Sequence, residues 1–422
     1  MDALLANFQT PLARLLLQFI VIIAATRALG AVSKRFGQPS VIGEIAAGIL
    51  LGPSLLGWIC PGASKILFPQ DSLGTLQLFS QIGVCLFMFV VGLELDLTQV
   101  RQRLRMAAGV SSAGIVLPFA LGMGAAVFLF QNYAAPDVKF LPFALFMGIA
   151  MSITAFPVLA RILKERNLTQ TPLGITAITC AAVGDAAAWA ILAFVIAIAK
   201  ATNLAATSFN LGLVIVFVIL MLLFVRPILS RWMPTHDEPK SGVIALVLIF
   251  LTASALTTEI IGIHALFGAF LAGVVMPKQK EFRERLVVRL ENFAGVFLLP
   301  LFFAFSGLRT HLDTLNVGAG WLICLGIIAL ATLGKLGGTF FAARLAGVGN
   351  RDAFALGALM NTRGLVELIA LNIGYDLGIL SLPIFSMLVL MALVTTFMTG
   401  PLLNLAKAKN LSPAEVAGKA AA

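Results

Sequence analysis

Charge is what this chain of 422 residues has least of. Asp, Glu, Lys and Arg together make up 11% of it, against about 25% in soluble globular domains. That scarcity excludes a water-covered surface over most of the molecule. Cysteine is sparse and unpatterned: Cys60, Cys85, Cys180 and Cys324 lack metal-like spacing and read as small buried residues rather than disulfides. The alternating pattern of a membrane barrel is missing. So is a leader with a cleavage site, because the first apolar run, Leu12 to Val32, is too long for one. There is no G-x-G-x-x-G entering a helix, and no TVGYG stretch of the kind that lines potassium filters.

What remains is apolar. Hydrophobic residues reach 60% and the mean hydropathy is +1.01. Lipid offers no water to exposed backbone groups, so an all-α polytopic membrane protein is expected. The net charge of +10 suggests a nucleic-acid partner, but position rejects it. The basic residues lie in short loops between apolar runs.

Windows of about 20 apolar residues mark about thirteen spans. They fall at 12–34, 39–55, 74–95, 104–131, 141–163, 171–199, 208–230, 241–260, 263–277, 287–308, 317–344, 352–374 and 381–405. Most Lys and Arg then fall on one side, for example Arg101, Arg103 and Arg105, Lys278 to Arg289, and Lys407, Lys409 and Lys419. Only Arg14, Lys65, Lys139, Lys200 and Arg309 fall on the other. The positive-inside rule places the N-terminus outside and the C-terminus in the cytoplasm. Lys278 to Arg289, KQKEFRERLVVR, reads as a membrane-surface amphipathic segment.

The two halves repeat each other. GEIAAGILLGP from Gly43 matches GAFLAGVVMP from Gly268. MFVVGLELDL from Met88 matches FAFSGLRTHL from Phe303. GIAMSITAFP from Gly148 matches GALMNTRGLV from Gly357. The matched spans are an odd number apart, so the second copy is inverted in the membrane. Inverted repeats are common among secondary transporters, with the site near the midplane.

Asp185 is the candidate at that midplane. It lies within ITAITCAAVGDAAAWAILAFVIAIA, Ile175 to Ala199, where a charge costs at least about 2.5–3.5 kcal/mol. The matched fifth and twelfth spans look broken. Pro157 follows Ser152 and Thr154 in the first, and Asn361, Thr362, Arg363 and Gly364 interrupt the second. Broken ends leave partial charges where an ion can sit. Lys335, deep in the eleventh span, wants a counter-charge, and Asp185 is the obvious one. Glu367 is spaced to pair with Arg363 on one helix face. Glu44 and Glu259 lie near span ends and could line a vestibule. His264 reads as a cap-region histidine. Burial disfavours an ionised carboxyl and a nearby cation favours it, so such a group can exchange a proton for a cation. Carboxylate, hydroxyl and carbonyl oxygens suit an alkali ion. No cofactor is called for.

QPSVIGEIAAGILLGPSLLG, FMFVVGLELDL, SITAFPVLARIL, GIHALFGAFLAGVVMP and MNTRGLVELIALNIG resemble the monovalent cation:proton antiporter-2 family, in particular its plant cation/proton exchanger and Kef-type branches. The resemblance covers about residues 10 to 405. It implies the sodium/proton-antiporter fold, with two crossed broken helices and elevator-like alternating access in a homodimer in a bacterial inner membrane. The transmembrane domain would run 1–410, before a short cytoplasmic tail at 411–422. Its core helices would lie at about 74–199 and 287–405, panel helices at 12–55 and 241–277, and a linker helix at 208–230. The resemblance also implies that Asp185 binds K+ or Na+ and H+ in turn, with Thr154 beside it and Lys335 at the basic position.

There are two departures. Members often carry an acid, Asn or Gln directly before the aspartate, whereas this chain has Gly184. One titratable group fewer favours electroneutral exchange. Kef-type members also carry a nucleotide-binding domain after the bundle. The closing NLAKAKNLSPAEVAGKAAA is too short for one, so either that route of regulation is missing or the sequence is cut short. Competing readings are a sodium-coupled organic-anion carrier of the same fold, with Arg363 and Lys335 holding a carboxylate, and a gated potassium channel. An intramembrane aspartyl protease would need G-x-G-D. The chain has AVGD, and its other candidate, Asp376, lies near a span end.

Overall fold

A backbone in lipid must satisfy its own polar groups, and the described chain does so as helix after helix. The computed structural model describes residues 10–94, 104–169, 171–200, 204–232, 241–262, 264–277 and 279–406. The expected tail and the basic residues Arg101, Arg103, Lys240, Lys278, Lys407, Lys409 and Lys419 fall outside these. Among the described residues the only pairing of the sheet kind is one isolated bridge, Ala134 to Leu380.

In chain order the helices are α1 (Pro11–Arg35), α2 (Ser40–Leu51), the short α3 (Leu56–Ile59) and α4 (Pro61–Leu67), α5 (Gln70–Glu94), α6 (Leu104–Tyr133), α7 (Phe140–Ser152), α8 (Phe156–Glu165), α9 (Pro172–Lys200), α10 (Leu204–Leu220) and α11 (Arg226–Trp232). The second set is α12 (Ser241–Ile261), α13 (Ala265–Val275), α14 (Lys280–Phe293), α15 (Leu299–Leu308), α16 (Gly320–Leu345), α17 (Asn350–Met360), α18 (Leu365–Asp376) and α19 (Leu382–Leu405). One-turn π-bulges, Met221–Val225 and Ala294–Leu298, join α10 to α11 and α14 to α15. The basic segment expected on the membrane surface is the start of α14, which runs on into α15.

Ten of these stretches are long and apolar enough to cross a bilayer, and α17 with α18 makes an eleventh, bent by 42°. The other two of the thirteen expected spans are present but short. α13 has 11 residues. The fifth span is divided into α7 and α8 by three non-helical residues, 153–155. Length alone undercounts because breaks split apolar runs that composition reads as continuous.

The described chain falls into two compact units. The first comprises 1–24, 62–96 and 193–305, and the second 25–61, 97–192 and 306–422. In the first, α13 lies against α5 and α12. A Cβ on Gly92 would sit 2.2 Å from the Phe270 carbonyl oxygen, and one on Gly273 would sit 2.1 Å from that of Phe89. Two glycines facing each other let these backbones touch, the usual way small residues join helices in lipid. The Arg283 guanidinium closes the ends of both helices, bonding the carbonyls of Leu93 (2.8 Å), Pro277 (2.8 Å) and Met276 (3.1 Å).

In the second unit, α6 packs against both α7 and α16, and α16 also meets α17 and α19. Gly122, Gly334 and Gly338 again allow backbone contact. This arrangement carries Lys335 of α16, Arg363 of the α17–α18 break and the end of α7 into one place.

Replacing Gly273 with leucine should lower the thermal unfolding midpoint of the detergent-solubilised protein sharply, because overpacking costs about 1–3 kcal/mol even where neighbours can shift, and here the neighbour is backbone. Gly124→Ala, at an open position in α6, should leave the midpoint unchanged or raise it.

Candidate functional site

A helix ends with carbonyls that lack partners, and the end of α7 shows how this chain supplies them. Arg363 donates from Nη1 to the Ala150 oxygen and from Nη2 to the Met151 oxygen, both at 2.6 Å. The Lys335 ammonium donates to the next carbonyl, that of Ser152. Two cations therefore close the negative end of one half-helix. Both are fully buried. Glu367, in the first turn of α18, lies 3.1 Å from Arg363 with neither partner exposed. An acid there also suits the positive end of a helix dipole.

The two breaks are sewn together. The Thr154 hydroxyl donates to the Met360 carbonyl (3.1 Å), and the Ala155 N–H donates to the Thr362 carbonyl (3.0 Å). α19 holds the second break from behind. Thr396 accepts from the Arg363 N–H (3.0 Å) and donates to the Arg363 carbonyl (2.9 Å), and Thr399 meets the Thr362 hydroxyl at 3.3 Å. Gly364 closes the break where a Cβ would come within 2.8 Å of Val158 Cγ2. Pro157 stands at the second position of α8, where a helix has no use for its missing N–H. Ser152 turns its hydroxyl back to the Ile149 carbonyl (3.0 Å). The side chain of Asn361 is fully buried with neither polar atom bonded.

Asp185 lies midway along α9, buried, with its Oδ1 unpartnered. It is in electrostatic reach of Lys335, as are Arg363 and Glu367. The direct Asp185–Lys335 pair expected from sequence is not formed. Among the described residues no ion pair joins them, because the ammonium is committed to the end of α7. A Cβ on Gly184 would lie 3.0 Å from the Ser111 hydroxyl of α6, itself buried and unbonded.

Three contributors escaped the sequence reading. Thr396 and Thr399 carry a weak signal, hydroxyls at helical spacing in an apolar run. Ser111 carries none. Of the remaining candidates, Glu259 accepts the Ala265 N–H (2.8 Å) and caps α13 rather than lining a vestibule. His264 is the residue preceding α13. Glu44 is half-buried, with Arg27, Arg161 and Lys34 in electrostatic reach.

Residues 20–405 match the family model described as sodium/hydrogen exchanger, transmembrane. The chain belongs to this family. It is 44% identical over 392 residues to the Na(+)/H(+) antiporter NhaS4 of Synechocystis sp., covering 92% of this chain and 96% of that one. It is 43% identical over 410 residues to the Cation/H(+) antiporter 20 of Arabidopsis thaliana, covering 94% of this chain but 48% of that relative. The chain thus spans nearly the whole cyanobacterial protein and about half of the plant one. The sodium proton antiporter MjNhaP1 of Methanocaldococcus jannaschii shares the fold, with a TM-score of 0.67 at 14% identity over 93% of this chain and 98% of that one. These relatives are transporters, and the protease reading falls with them. As a family member the chain is a multi-pass integral membrane protein.

Truncating Arg363 to methionine should unfold or strongly destabilise the protein, since removing one partner of a buried pair costs about 3–5 kcal/mol, and two carbonyls of α7 lose their donors as well. Glu367→Gln should cost clearly less. Thermal midpoints of the two purified variants check the ordering.

Proposed function

We propose that this protein is a secondary active antiporter that exchanges a monovalent cation, Na+ or K+, for H+, with Asp185 binding the two competitively. The observation behind this is the Asp185 carboxylate, buried in α9 with an unpartnered oxygen beside the crossing of two broken helices. Family membership and the names of the relatives support the substrate class. Thr154, Asn361 and the open backbone of the breaks would offer the cation further oxygens.

Exchange is obligatory if only one occupant fits at a time. The charges gathered at the crossing, Asp185 and Glu367 against Lys335 and Arg363, balance in sign. A bound proton or a bound alkali ion then gives the site the same net charge on either stroke. With Gly184 in place of a second acid, one-for-one, electroneutral exchange follows. Elevator-like alternating access in a homodimer with its N-terminus outside completes the reading. The organic-anion reading is disfavoured by the commitment of Lys335 and of both Arg363 terminal nitrogens to carbonyls of α7.

Proteoliposomes carrying the purified chain should release an imposed proton gradient on addition of Na+ or K+, at a rate indifferent to membrane potential. Asp185→Asn should behave like protein-free liposomes. Unimpaired flux in that variant would remove Asp185 from the site, and strong voltage dependence would remove the electroneutral stoichiometry.

A further inference from the structure

A broken helix loses the continuity that fixes its direction. Three residues, 362–364, separate the capped end of α17 from α18. α17 therefore cannot set the direction of α18, and contacts along α18 and at its far end must do so. α18 has 12 residues, a rod about 18 Å long at 1.5 Å per residue. One end carries Arg363 and Glu367. The other end carries a cluster of contacts that the exchange reading does not use.

Arg309 supplies that cluster. Its guanidinium donates from Nη1 to Asn372 Oδ1 at 3.0 Å and from Nη2 to Asp376 Oδ1. It also lies over the Tyr375 ring, 4.8 Å from the centroid. A cation at the last turn of a helix is favourable in itself. Asn372 passes the hold onward, donating to the Ser306 hydroxyl (2.8 Å) and the Leu368 carbonyl (2.9 Å).

The segment bearing Arg309 is itself fastened. Ser54 donates to the Thr310 carbonyl (2.8 Å) and accepts from the Leu312 N–H (3.1 Å). The His311 N–H donates to Ser386 of α19 (2.9 Å). A tethered arginine thus grips the far end of a half-helix that otherwise rests on side packing against α19 and α7.

We infer that Arg309 is a positioning residue for the exchange site, aiming α18 so that Arg363 meets the carbonyls of α7 and Glu367 stays beside it. This rests on the exchange reading above. The Arg309–Asp376 pair is partly exposed, with side chains 18% and 27% accessible, so a loss of packing alone would be small. The effect belongs to the site at the far end of the rod.

The test uses Arg309→Gln, Arg309→Lys and Asp376→Asn in proteoliposomes, with Asp185→Asn as control, and hydrogen exchange of the purified proteins. Arg309→Gln should raise the KM for the driving cation about tenfold, the equivalent of one charge-assisted hydrogen bond, with kcat changed far less. Lysine, which keeps the charge but loses the fork, should recover part of that loss. Backbone amides of 364–368 should exchange faster in Arg309→Gln although the substitution is at the other end of α18. An unchanged KM together with unchanged exchange at 364–368, whatever the thermal midpoint does, would overturn the assignment. If Arg309→Gln cannot be purified, the same two readings are taken on Asp376→Asn. Wild-type protein without cation-driven flux, or full flux in Asp185→Asn, would refute the exchange reading instead, and the exchange rates at 364–368 would still decide whether Arg309 positions α18.

Discussion

The last three carbonyls of α7 set the terms for the second compact unit. They are buried, and no helical turn follows. A buried polar group without a partner costs several kcal/mol, roughly 2–7 depending on the reference state. Arg363, from the break between α17 and α18, and Lys335 of α16 meet this need. The same contacts justify burying the cations, each of which would otherwise be prohibitive in an apolar bundle. Break and cations stabilise each other, and neither is tenable alone. Glu367, the threonines of α19 and the Thr154 hydroxyl all serve to hold that mutual arrangement.

The arginine fork closes helix ends in both compact units. Arg283 meets carbonyls at the ends of α5 and α13, and Arg363 meets those of α7. Its planar donors match adjacent carbonyls in a way that the single ammonium of lysine does not. Glycine makes the complementary contribution, letting backbones touch where no polar bond is needed, as between Gly92 and Gly273. Lipid gives no hydrophobic drive for helix association, so contact geometry and satisfied ends must do the work.

This economy still leaves some buried acidic oxygens without partners. Lys335 and the terminal nitrogens of Arg363 are spent on carbonyls, whereas Asp185 keeps one oxygen, and Glu367 beside Arg363 both of its oxygens, without a hydrogen bond. Lys335 reaches Asp185 through its field rather than by contact.

Much was legible in the sequence. A run of apolar residues long enough to span a bilayer has few alternatives, so the all-α class, most of the spans and the two broken segments could be read from composition and period. Asp185, Arg363, Lys335 and Glu367 were legible because charge in lipid is rare enough to stand out one residue at a time. Which partner each took was not. The Lys335 ammonium bonds the Ser152 carbonyl and not Asp185, because a broken helix end exposes backbone acceptors that no residue type advertises. Ser111, Thr396 and Thr399 were invisible for a related reason: a hydroxyl in a span is ordinary until a neighbouring helix gives it something to face. Arg309 looked like a residue of an outer loop, and only the packed chain shows it gripping α18. Sequence by itself determined which segments lie in the membrane and which charges must be accounted for there. Tertiary structure alone decided the pairing, because backbone carbonyls, present at every residue and encoded by none, were the partners these charges chose.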